Sequence, residues 1–372
     1  MHIPDGYLSP QTCAVAYAVA VPFWAIASRR VSAVVKTRDV PMLAMFAAVS
    51  FMVMMFNVPI PDGTTAHAVG AVVIAILLGP WAAVIAVSVA LLFQALLFGD
   101  GGVLTFGANV VNMAVLMPFV GLAVYRLVAG RAPLTSRRRV VAAGLGGYVG
   151  ISAAGLGTAV MLGLQPLLFH TADGQPLYAP YPLSLTIPAM ALAHLTLAGA
   201  AEAILTVGVF AYLARAEPRR LLANHPGVPL TADDAAPAPA RLLAPGRVAL
   251  AFMAALVVLA PLGLLAPGGA FGEDDPADLD LGGLGLQAIP EGLARYYGFW
   301  QRTLLGDYGL PGGDHPVLAY WLSAVVGIAA IGLAVYALGL LATRFAGRRR
   351  PTPDSAGADA DAAGPAHPGA RG

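Results

Sequence analysis

Residues 71–98 read AVVIAILLGPWAAVIAVSVALLFQALLF, without one charged side chain. A bilayer's hydrocarbon core takes about 20 apolar residues of helix to cross. In the middle stands Gly79-Pro80, where a backbone donor is missing and the chain is free to turn. The stretch therefore reads as a short segment, Ala66–Leu78, followed by a full one, Trp81–Phe98. Together these are two crossings or one re-entrant hairpin, and the downstream chain has the same sidedness for both.

Working outward, seven further apolar stretches are expected to span: Ser9–Ser28, Pro41–Phe56, Ala108–Val128, Val140–Leu164, Leu183–Ala214, Val248–Leu265 and Pro316–Thr343. The composition agrees. Of 372 residues 58% are hydrophobic and 11% charged, where a soluble domain carries about 25% charged residues. Mean hydropathy is +0.74. These values exclude an ordinary soluble enzyme and a disordered chain, and the expected class is an all-α polytopic membrane protein. Cys13 is the single cysteine, so an intramolecular disulfide and a cysteine metal site are excluded.

The few charges set the orientation, because Lys and Arg collect on the cytoplasmic side. With the N-terminus outside, 19 of the 21 basic residues fall in inner loops and the tail, and only Arg295 and Arg302 fall outside. The expected localisation is a multi-pass protein of the cell (inner) membrane, N-terminus out and C-terminus in. Lys36 is the only lysine and the arginine clusters are short, which speaks against a nucleic-acid surface. The chain opens MHIPDGYLSP, polar and turn-forming, unlike a secretory leader. With the bulky His2 in second place, Met1 is expected to be retained with a free amine at the outer face.

Composition divides the chain into 1–221, a Pro- and Ala-rich cytoplasmic linker at 222–245, a two-span unit at 246–347, and a low-complexity tail at 348–372. The segment between the last two spans, about 267–315, is rich in Gly and acidic residues, among them Glu273 and Asp274, and lies outside.

Ionisable residues inside a bilayer are costly and tend to be functional. Glu202 is the one carboxylate within an expected span. His194 precedes it by about two helical turns, so both face roughly the same way; they pair, or Glu202 neutralises a passing cation. Asn109 and Asn112 share a face of the fifth span, and either orient a histidine or link helices. Gln94 has the same two readings. Asp5-Gly6 after Pro4 reads as a turn directing the N-terminus inward, and Asp100 in FGDGG as a loop turn. His170, His225, His315 and His367 lie in loops, linker or tail. His2 and His67 are both expected at the outer side and near one depth, as structural residues or as ligands.

The position of His2 favours a ligand. An N-terminal residue followed by His offers an amine, a peptide nitrogen and an imidazole, which close fused five- and six-membered chelate rings. Amide nitrogen suits the square-planar geometry of Ni(II) or Cu(II), and another imidazole, for example His67, would complete four ligands. Magnesium and calcium prefer oxygen.

MHIPDGYLSP at the start, FNVPIPDGTTAHAVGAVVIAILLGPWAAV at 56–84 and LFQALLFGDGGVLTFGANVVNMAV at 92–115 resemble the CbiM/NikM family, the substrate-binding membrane components of energy-coupling-factor transporters for cobalt and nickel. The resemblance covers about residues 1–220. It implies a bundle of about seven helices holding Ni(II) or Co(II) as transported substrate, with no bound organic cofactor. It also implies that the amine of Met1, the backbone and side chain of His2, and His67 are the metal ligands; Asp5, Asn109, Asn112, His194 and Glu202 are candidates for supporting them by their own positions in the sequence. A transmembrane coupling protein and ATPase subunits are the implied partners, and small-residue faces such as 142–150 and 195–203 are candidates for meeting the coupling protein. IPEGLARYYGFWQ and DYGLPG in the last outer segment resemble the NikN-type (PDGLE) domain, with the name-giving motif present only as PEGL at 290–293. No Walker motif, HExxH pattern or nucleophile triad is present, so the chain is expected to be a transporter subunit rather than an enzyme. The alternative is a self-contained membrane metal transporter or a metal sensor without an ATPase partner.

Overall fold

The computed structural model describes residues 1–34, 40–60, 65–222, 224–225, 227–228, 245–266 and 269–347. The tail expected at 348–372 and most of the linker expected at 222–245 lie outside the described residues.

The elements in order are α1 (Pro10–Val34), α2 (Val40–Met54), a minimal hairpin of β1 (Val58–Pro59) and β2 (Thr65–Ala66), α3 (Ala71–Leu78), α4 (Pro80–Phe93), α5 (Phe106–Asn109), α6 (Met117–Ala129), α7 (Arg137–Gly163), α8 (Gln165–Leu168), α9 (Leu183–His194), α10 (Leu197–Ala216), α11 (Pro218–Leu222), α12 (Pro245–Leu259), α13 (Glu291–Tyr296) and α14 (Pro316–Gly347). Wide π-turns extend α4 over Gln94–Phe98 and join α5 to α6 over Val110–Leu116. Among the described residues seven helical stretches are long and apolar enough to cross a membrane, and α2 is a shorter apolar helix. The all-α polytopic architecture expected from the sequence is the one observed.

The segment that decided the reading departs from a plain span. Helix begins only at Ala71, and α3 has eight residues. At about 1.5 Å per helical residue and up to about 3.3 Å per extended one, Ala66–Leu78 is still long enough to approach the roughly 30 Å of a hydrocarbon core. Irregular backbone at that depth survives only when enclosed by protein, and Ala66 through Leu77 are all buried. The free amides of Val69 and Gly70 donate to Glu202 Oε2 at 2.8 and 2.9 Å, and the Ser50 hydroxyl donates to the Val69 carbonyl at 2.7 Å. A carboxylate within a span thus substitutes for the missing helical turn.

Around this buried segment α7 packs against α6, α9 and α10, while α4 packs against α1, α2 and α3. α14 lies along α2 and also touches α4, which sets the post-linker part of the chain against the first. The small residues at 142–150 and 195–203 are largely spent inside this packing. A Cβ on Gly147 would meet Thr206 Oγ1 at 2.8 Å, and one on Gly199 the Tyr148 ring at 2.7 Å.

α6 and α7 approach one another closely. A Cβ on Gly121 would stand 2.7 Å from the Gly146 carbonyl oxygen and 2.5 Å from Val72. Among the described residues no atom lies within 4 Å of the would-be Cβ of Gly208 on α10. Gly121→Val should therefore lower stability by about 1–3 kcal/mol through overpacking, read as a lower thermal midpoint of the detergent-solubilised protein, whereas Gly208→Ala should leave it nearly unchanged.

Candidate metal centre

The first residues of the chain are drawn into the bundle. Met1, His2 and Ile3 are 4%, 3% and 1% exposed. Backbone fixes this path. Asn109 Oδ1 accepts the Ile3 amide at 2.8 Å while its Nδ2 donates to the Ile3 carbonyl at 3.2 Å. The same carbonyl accepts from the Gly102 amide at 2.9 Å and from the Thr105 hydroxyl. Asp5 accepts the amides of Val103, Leu104 and Thr105 at 3.1, 2.8 and 3.2 Å. Burial pushes the Asp5 carboxyl above its ordinary range despite those N–H groups. Gly102 has to lack a side chain, because a Cβ there would overlap the Asp5 carboxylate.

Three nitrogen-bearing groups meet where this terminus ends. The His2 and His67 rings stack, with centroids 4.9 Å apart and 26° between planes. His67 Nδ1 lies 3.0 Å from the Ala68 carbonyl oxygen, so this nitrogen is placed to carry the ring proton and leave Nε2 with a lone pair. Nε2 of His67 and Nε2 of His2 are buried and have no partner among the described residues. His2 Nδ1 lies 3.0 Å from Asp100 Oδ1, and the Met1 amine donates to Glu273 Oε1 at 2.8 Å. Asp100 is itself held by the Tyr308 hydroxyl at 2.5 Å and by Gln94 Nε2 at 3.1 Å, both on Oδ2. Burial alone would raise the Asp100 carboxyl, but the His2 imidazole and the Tyr308 hydroxyl hold it well below the usual carboxylate range.

The sequence-derived candidates separate into three groups. Met1, His2 and His67 come together. Asp5 and Asn109 brace the backbone that carries them. Asn112, His194 and Glu202 stand apart from the histidine pair. Asn112 Nδ2 donates to Thr158 Oγ1 at 3.1 Å and approaches Met161 Sδ at 3.4 Å. The π-turn that starts at Val110 rotates it off the face of Asn109. His194 bonds through Nδ1 to the Met190 carbonyl at 2.8 Å and does not pair with Glu202. The helix breaks between them at Thr196 (φ −117°, ψ −103°), which cancels the shared face that an unbroken helix would give. Glu202 still bears on the centre at one remove, because the amides it accepts lie two and three residues after His67.

Two residues that contact this terminus escaped the sequence reading. Asp100 read as a turn, yet it faces His2; the glycines flanking it were the available signal, since they are what lets the N-terminal segment lie against that loop. Glu273 was one of several acidic residues in an outer segment, and nothing local marks it as the partner of residue 1.

Known proteins match this chain along most of its length. The family model described as CbiM, cobalt uptake substrate-specific transmembrane region, matches residues 2–220. A fused nickel transport protein NikMN of Rhodobacter capsulatus is 49% identical over 94% of this chain and 99% of its own length. A probable fused nickel transport protein LarMN of Lactiplantibacillus plantarum is 44% identical over 88% of this chain and 94% of its own. A crystal structure of a truncated transition metal transporter is 57% identical, with a TM-score of 0.54, and covers 57% of this chain and 98% of that one.

Asn109→Leu would leave the buried Ile3 amide without a partner, while the Ile3 carbonyl keeps Gly102 and Thr105, at a cost of about 1–3 kcal/mol. Local opening of the terminus should become correspondingly easier. Amide hydrogen exchange of residues 2–8 should then accelerate by roughly 5- to 100-fold while the core helices keep their rates. Unaltered exchange at these amides would refute the bracing role.

Proposed function

The chain belongs to the CbiM family of cobalt uptake substrate-specific transmembrane regions, and from that premise we propose that it captures Ni(II), or Co(II), at its N-terminal end as the substrate-binding component of an ATP-driven uptake system. The observation that carries the reading is the meeting of the Met1 amine with two stacked, buried imidazoles, the His67 Nε2 having no partner among the described residues. Buried polar nitrogens of this kind normally find a partner, and a metal ion supplies one.

The ligand set we propose is the Met1 amine, the His2 amide nitrogen, His2 Nδ1 and His67 Nε2. Amine and amide close a five-membered ring on the ion, and amide and Nδ1 a six-membered one. His67 approaches from the other segment, its tautomer fixed by the Ala68 carbonyl, as metal-bound histidines usually are. On loading, His2 Nδ1 exchanges Asp100 for the metal, and the Met1 amine exchanges Glu273. Four nitrogens in a plane suit Ni(II) better than ions that seek six oxygens. The nickel transport proteins that match this chain over most of its length support the same choice.

The distribution of basic residues favours placing the metal end outside and the C-terminus inside. We assign residues 1–221 to the metal-binding unit, 222–245 to a cytoplasmic linker, 246–347 to a fused NikN-like unit and 348–372 to a tail. With no nucleotide-binding motif of its own, the chain would depend on separate ATPase subunits and a transmembrane coupling protein to reorient it and release the ion inward.

His2→Ala, or one residue added before Met1, should abolish high-affinity Ni(II) binding in isothermal titration of the purified protein. Undiminished binding in either variant would overturn the ligand assignment. His67→Ala should replace one nitrogen by water in the X-ray absorption spectrum of the loaded protein. Ligands must shed protons to bind, so affinity should fall as pH drops through the histidine range.

A further inference from the structure

Beside the histidine pair lies a set of carboxylates that the four-nitrogen ligand set leaves out. A cavity of about 460 Å³ opens next to His2 and is lined by Asp100, Glu273 and Asp307. Ligand atoms of His2, Asp100 and Glu273 lie within 4.8 Å of one another. His2 lines this cavity, is 3% exposed, and has an Nε2 without a partner among the described residues. A group of carboxylates alone would be unremarkable; a buried imidazole with an unpaired nitrogen in the same wall makes it a place for a cation.

The far wall comes from beyond the linker. Ala270 pairs with Thr65, two residues before His67, and the Tyr7 hydroxyl donates to the Asp274 carbonyl at 2.8 Å. The amides of Leu304 and Leu305 donate to the Leu97 carbonyl at 2.9 and 3.0 Å, and Trp300 Nε1 donates to the Leu96 carbonyl at 2.9 Å. Residues 270–308 thus close over the end of the bundle that holds Met1. At the rim Asp307 and Tyr308 both adopt left-handed backbone, φ 51° and 59°. For residues other than glycine this is a costly conformation, retained where the surroundings impose it.

We propose that this cavity is an antechamber that holds a hydrated divalent cation on Asp100, Glu273 and His2, guided in by Asp307, before the ion passes to the four nitrogens. The proposal rests on the nitrogen ligand set given above. Carboxylates accept divalent ions with part of their water shell in place and discriminate little among them. The two carboxylates that receive the ion are the same two that hold the Met1 amine and the His2 ring. An ion arriving there competes for the carboxylates and frees the nitrogens within a few ångströms of itself. Glu273 and Asp307 both belong to the post-linker unit, so the chamber is built from both parts of the chain.

The test is stopped-flow association of Ni(II) with the full-length protein in detergent, followed by its square-planar absorption, with Mn(II) as an oxygen-preferring probe read by electron paramagnetic resonance. Glu273→Gln and Asp307→Asn should each slow association by about tenfold, the low end of what focused charge contributes to an on-rate, and should weaken Mn(II) binding. Asn is well suited to the left-handed backbone at 307, so this variant keeps the rim intact if the other misfolds. Glu291→Gln, an exposed carboxylate that does not line the cavity, should associate at the unaltered rate. Millimolar Mn(II) should slow Ni(II) uptake by the unaltered protein without changing the final spectrum. Equal Ni(II) rates in all variants, or no effect of Mn(II), would overturn the antechamber while the nitrogen site stands. Failure of the unaltered protein to give the square-planar spectrum would instead overturn the ligand assignment, and the antechamber with it.

Discussion

A chain terminus carries an amine, and burying it costs several kcal/mol unless it meets a partner. Here Met1 is 4% exposed and its amine is met by Glu273. Much else in the structure serves that one burial. Asn109 and Asp5 spend their polar atoms on backbone rather than on each other, and the loop from Asp100 to Thr105 is shaped to receive the first five residues. Each of these bonds is worth about 1 kcal/mol net; what they jointly fix is the position of three nitrogens at the chain's own beginning.

Much of the architecture was legible because the bilayer imposes a coarse and strong rule on composition. The stretch 71–98 announces membrane residence, and its Gly79-Pro80 break is where α3 gives way to α4. The long spans were found within a few residues for the same reason. What local periodicity cannot show is where a helix changes its turn. The π-turn after Asn109 and the break at Thr196 each invalidate an argument from spacing, one separating Asn112 from Asn109 and the other His194 from Glu202. Both are departures from 3.6 residues per turn, and tertiary packing decides them.

The candidate centre was legible for a different reason. Met1 and His2 are adjacent, so their chelating geometry is covalent and can be read from two letters. His67 was offered by its expected depth beside His2 and singled out by the family resemblance, and the carboxylates needed the fold. Asp100 is 98 residues from His2, and Glu273 is 272 from Met1. Contacts at such separation follow from how the post-linker segment folds back over the bundle, through pairings such as Thr65 with Ala270.

Glu202 shows how the same constraint connects the two ends of the membrane-embedded part. Inside the span it accepts from Val69 and Gly70, the free amides of a segment too short to be helical throughout. Had residues 66–70 continued the helix of α3, those amides would have been satisfied internally, and His67 would have been carried onto a helix face. Leaving them unwound lets His67 turn back toward Ala68 and stack on His2. A carboxylate buried at a span's centre, which reads at first as a station on an ion's path, thus has a prior duty to backbone. The carboxylates that meet the N-terminal groups are others, Asp100 at His2 and Glu273 at Met1.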